Sequence, residues 1–106
     1  MIISSKQARA YWGSEEMSQH PVVLAQFGVA WRLGVQTDVM VGGLAAVFVP
    51  NSPNTFSGSV FFLASEKIRP LNVSLAGALG CLERCGVGGG SLLSKFSIAV
   101  PEAQYA

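Results

Sequence analysis

A chain of 106 residues, half of them apolar, 12% charged and with a formal net charge of +1, is long enough for one small domain around a single core. Ordinary soluble domains carry roughly 25% charged residues, so part of this surface is expected to be covered by a membrane, a partner or further copies of the chain. With no cluster of Lys or Arg, the electrostatic footprint of a nucleic-acid binder is missing and that class of partner is excluded.

Residues 1–20 are polar and include Lys6, Arg9, Glu15 and Glu16, which predicts an N-terminal arm or short helix outside the core. The opening MIISSKQARAYWG has no apolar stretch of the kind a secretory signal needs. At Pro21 the composition changes. VVLAQF (22–27) and WRLGVQT (31–37) are β-branched and aromatic runs joined by GVA, the spacing of a hairpin with a glycine-containing turn.

From Val39 to Ser65 no residue is charged. Gly42 and Gly43 are expected to bend the chain before LAAVFV (44–49), a continuous apolar run of strand length. The longest apolar candidate for a membrane span, Val39 to Val49, stops at Pro50, well short of the roughly 20 residues a spanning helix needs. A second strand, SVFFLA (59–64), is expected after Gly58, so the polar stretch between them is the connection of two buried strands. EKIRPL (66–71) reads as a turn and a short edge strand, where proline is tolerated because an edge need not donate.

NVSLAGALGCLERCG (72–86) has the pattern of a helix. Ser74 is placed to cap it, Leu75, Leu79 and Leu82 form its apolar stripe, and Gly86 is placed to take the left-handed position at its end. Arg84 sits where a cation complements the helix dipole. Gly77 and Gly80 each cost the helix roughly 1 kcal/mol relative to alanine, so close packing is expected to hold it. The three glycines at 88–90 begin an expected flexible tail (88–106) after a core domain (21–87). The predicted class is therefore α+β: a small, mostly antiparallel sheet or barrel-like core of about five strands with one packed C-terminal helix.

The order of residues adds a resemblance. Residues 48–87, FVPNSPNTFSGSVFFLASEKIRPLNVSLAGALGCLERCGV, are similar without a gap to the family of small integral membrane proteins typified by the continuous vascular ring (COV-like) proteins, with the pattern F-V-P, T-P-N-x-x-S-G, I-P-L-D-x-S and S-G-G-V. Phe48, Val49, Pro50, Pro53, Asn54, Ser57 and Gly58 match in the loop, Glu66, Pro70, Leu71 and Ser74 in the turn and cap, and Ala78, Leu79, Gly86 and Val87 at the helix. VVLAQF and WRLGVQT resemble the family's first strand pair, and Ser5, Lys6 and Gln7 echo an S-K-Q after its membrane spans. The resemblance implies a membrane-associated, cytoplasmic-face domain hung on two N-terminal transmembrane helices, with no activity attached. This chain departs from the family in lacking those helices, in following Phe27 directly with Gly28, in carrying Ala76 and Gly77 where the family is acidic, and in placing Cys85 in the terminal motif. The departures fit a fragment or truncated gene product.

No residues assemble into an acid, base and nucleophile set, so no catalytic residue and no cofactor are expected. His20, the only histidine, precedes a proline and reads as a surface linker residue rather than a base. Cys81 and Cys85 lie one helical turn apart and read as two buried, reduced thiols; with one histidine they cannot complete a four-ligand zinc site. GVGGGS (86–91) follows a helix and lacks the G-K-[ST] ending of a phosphate loop.

The remaining candidate is the loop of Pro50, Asn51, Pro53, Asn54, Ser57 and Gly58. Its polar side chains, Ser52 included, either satisfy their own backbone or line a small-molecule or lipid-headgroup site. Two readings follow. One is a non-catalytic extramembrane domain that forms a homo-oligomer or contacts a membrane-protein partner. The other is a ligand-binding domain built on this loop.

Overall fold

The computed structural model describes residues 18–96. Five strands, β1 (Val22–Phe27), β2 (Ala30–Val39), β3 (Leu44–Pro50), β4 (Gly58–Ala64) and β5 (Ile68–Pro70), form one antiparallel sheet in the order β4-β3-β2-β1-β5. A 3-10 turn, Ser65–Lys67, joins β4 to β5, and the helices α1 (Leu75–Glu83) and α2 (Gly89–Leu92) follow. The α+β class and the strand count are as the sequence predicts, and the sheet remains open between β4 and β5.

The first hairpin turns on Gly28 and Val29, with Gly28 at φ 61° and Phe27 paired to Ala30. Glycine at the first of two turn positions suits the twist of the strands it joins. β2 runs to Val39 rather than ending at Thr37, because a bulge between Gln36 and Asp38 lets the ladder with β3 resume. Gly42 and Gly43, at φ 99° and 88°, then reverse the chain.

The two sheet edges, β4 and β5, are joined through three residues. Four steps of chain span at most about 14 Å, whereas the edges of a flat five-stranded sheet lie about 19 Å apart. The sheet therefore curls into a half-barrel. Phe27 of β1 and Phe61 of β4, three strands apart, meet edge-on with ring centroids 4.9 Å apart. The concave side holds Val23, Ala25, Ala45, Val47, Val49 and Ile68, all buried, with Phe27, Phe61 and Leu63 packed against them.

On the convex side Val22, Leu24 and Leu33 pack with Ala78 of α1 and with Leu75, Leu82, Leu92, Leu93 and Phe96. The fully buried helix residues are Ala78 and Cys81; Leu75, Leu79 and Leu82, the expected stripe, are all half-buried, and of these Leu75 and Leu82 pack on the convex cluster. The small side chains let the helix approach: a Cβ on Gly77 would sit 3.3 Å from the Leu92 side chain. Ser74 Oγ accepts from the Gly77 amide at 3.0 Å, as a cap should.

At the other end the Gly86 amide donates to the Cys81 carbonyl at 2.8 Å and the Cys85 amide to the Leu82 carbonyl at 3.1 Å, a Schellman pair of bonds. The left-handed position expected of Gly86 alone thus begins one residue earlier, at Cys85, φ 56°.

The glycine run is not a free tail as far as Phe96. Gly88 at φ 91° starts α2, and Leu92, Leu93 and Phe96 anchor it to the core, Phe96 lying 5.9 Å from Trp31 between ring centroids. Apolar side chains after the glycines outweigh the glycines' freedom. The expected N-terminal arm falls largely, and the tail beyond Phe96 wholly, outside the described residues.

Candidate functional site

The 50–58 loop links β3 to β4, but only β3 is buried. β4 is the outer strand, with Val60 55% and Phe62 61% exposed, so the expected pair of buried strands is one buried strand and one edge. An apolar run of strand length looks the same in either place.

Pro50 ends β3 opposite Gly58, the first residue of β4. A Cβ at Gly58 would collide with the Val49 carbonyl oxygen and lie 2.8 Å from Phe48 Cζ, so the close crossing of the two strand ends requires glycine. The Asn51 amide donates to the Ser57 carbonyl at 2.8 Å, and Asn51 Nδ2 donates to Ser57 Oγ at 3.0 Å. The Phe56 amide donates to Asn54 Oδ1 at 3.1 Å, and Ser57 Oγ to the Asn54 carbonyl at 3.1 Å. Asn51, Asn54 and Ser57 therefore hold the loop's own backbone in an Asx-type turn. The Ser52–Pro53 peptide is cis.

Ser52 and Thr55 do something the sequence does not announce. Ser52 Oγ donates to the Leu82 carbonyl at 2.6 Å, and Thr55 Oγ1 to Glu83 Oε2 at 3.3 Å. Both cross to the last turn of α1, Ser52 adding a second donor to the Leu82 carbonyl that already accepts from the Cys85 amide and Thr55 reaching the Glu83 carboxylate. Thr55 is 1% exposed, the one buried polar side chain among the described residues. The loop is a strut between the sheet edge and the helix end. No local pattern marks a bond between residues about thirty positions apart in sequence.

A shallow apolar cleft of about 240 Å3 lies elsewhere, at the mouth of the half-barrel, lined by Gln36, Val39, Leu44, Ser65, Ile68 and Pro70 among others. None of the loop residues lines it, and the side chains of Asn51, Asn54 and Ser57 are bonded within the loop. His20 is half-buried. Cys81 is buried but Cys85 is exposed, so the two cysteines are free thiols in different surroundings and not a buried pair. No cluster of three or more His, Cys, Asp or Glu able to hold a metal ion occurs among the described residues, and no helix among them is long and apolar enough to cross a membrane.

Of the large exposed apolar residues, Val60 and Phe62 lie on the edge strand β4, and Val29, Val39, Val41, Leu44 and Val87 lie in turns or at strand ends. β4 carries no charge and no proline over seven residues. Val60 pairs with Phe48 and Phe62 with Ala46 across the ladder, which places Val60 and Phe62 together on the convex face, beside the half-buried Phe48 and beyond the cover of α1. The chain matches no family model, no curated protein and no solved structure.

Proposed function

We propose that this is a non-catalytic extramembrane domain of a COV-like membrane protein, acting by assembly with itself or with a partner at the cytoplasmic face of a membrane. The observation that carries the reading is the uncharged β4 edge with its exposed Val60 and Phe62. Natural proteins blunt such an edge with lysine, proline or a covering loop, because its unpaired amides and carbonyls template further strands. β4 has no lysine or proline, and no loop among the described residues covers Val60 and Phe62. An unprotected edge is what an association surface looks like.

The family part of the reading is supported by the loop. Asn54, Ser57 and Gly58, which carry the resemblance, are the residues that the strand crossing and the turn use, so the motif has a structural reason to recur in a shared fold. The test is fractionation of the complete gene product. It is expected in the membrane fraction, released by detergent and not by salt, with two apolar stretches of about 20 residues encoded in frame upstream. A product that stays with the soluble fraction would contradict the membrane reading.

A further inference from the structure

We propose that β4 pairs antiparallel with β4 of a second copy about a two-fold axis through Phe61, joining two half-barrels along one continuous sheet. The inference rests on the assembly reading above and names its partner.

Three features of the strand point to a second copy. Residue 61 is the midpoint of Gly58–Ala64, so a two-fold there pairs the whole strand with itself, Gly58 opposite Ala64 and Ser59 opposite Leu63. In that register Val60 falls opposite Phe62 of the other copy twice, on the convex face where both are exposed, and aromatic to β-branched pairs are among the favourable cross-strand contacts. A self-pairing strand also sets every charge near its own kind. β4 and the loop before it contain no charged residue, and Glu66 and Lys67 lie beyond its end, so the symmetric approach opposes no like charges within the pair. A partner recognised by charge would find nothing here to bind.

The other edge is unsuited. β5 has three residues and ends in Pro70, which has no amide to donate. Pairing through one edge closes at two copies, whereas pairing through both would run on as a filament.

The size of the contact sets its strength. Seven residues of strand extend about 24 Å, and a contact one strand wide buries less than the roughly 1,200 Å2 of a standard stable interface. The pair is therefore weak and reversible for the free chain, and confinement of two copies to a membrane raises their effective concentration enough to populate it.

The experiment is the weight-average mass of the chain by light scattering over a wide concentration range, for the wild type and for Phe62→Lys, Val60→Lys, Phe62→Leu and the distal control Val29→Lys, each checked for native circular dichroism. The wild type is expected to rise from monomer towards dimer. Phe62→Lys and Val60→Lys each weaken the dimer about tenfold or more, about 1.4 kcal/mol, while Phe62→Leu and Val29→Lys keep it. A dimer that survives both lysine variants overturns β4 pairing and leaves the assembly reading standing on another surface. A monomer at every concentration, together with a complete gene product that does not associate in detergent, overturns both.

Discussion

Cys85 and Gly58 show what single positions decide in this fold. Cys85 sits at φ 56°, a conformation that costs a residue with a Cβ roughly 1–2 kcal/mol, and it is exposed, so its side chain gains little in return. Replacing it with glycine removes that strain at the expense of a more flexible unfolded chain. Cys85→Gly is expected to raise stability by about 0.5–1 kcal/mol, read as a higher urea midpoint at an unchanged slope. Gly58→Ala goes the other way, because the new methyl group meets the Val49 carbonyl and the Phe48 ring. Overpacking of this kind costs roughly 1–3 kcal/mol, and the same denaturation series measures it. Gly58 was legible in the sequence as part of a motif, but its reason was not: the clash depends on two strand ends crossing. The sequence pattern likewise points to a glycine-type helix end and picks Gly86, since a cysteine at the left-handed position runs against preference.

Among the elements, the helix start, the hairpin and the strand succession were readable because each depends on neighbours in sequence. The bonds that lock elements together were not. Ser52 looks like any loop serine, yet its hydroxyl joins the loop to α1. Ser52→Ala is expected to lose about 1 kcal/mol and to speed amide exchange at the C-terminal turn of α1, a local readout that general destabilisation would not single out. Which face of a strand is covered was equally hidden, since Val47 and Val60 both lie in apolar runs. Val47 is 0% exposed and Val60 55%. Val47→Ala should therefore cost roughly 1.5–3 kcal/mol, whereas Val60→Ala stays within about 0.5 kcal/mol. Equal losses at the two sites would contradict the assigned faces.

At the scale of the whole molecule, the small number of charges found its place in the asymmetry of the half-barrel. One part of the convex wall is covered by α1, α2 and Phe96, and the part formed by β3 and β4 is left with Leu44, Val60 and Phe62 exposed. Composition indicated that something covers part of this surface, but not which part, because the curl of the sheet depends on the three-residue link between its edges and on Phe27 meeting Phe61. β4 is the surface through which the domain is proposed to associate. Amide hydrogen exchange at residues 59–63, followed as the chain is concentrated, tests this most directly. The predicted result is protection of the β4 amides that rises about tenfold across the association range, with β5 unchanged. Exchange in β4 that stays independent of concentration while the chain associates would contradict it.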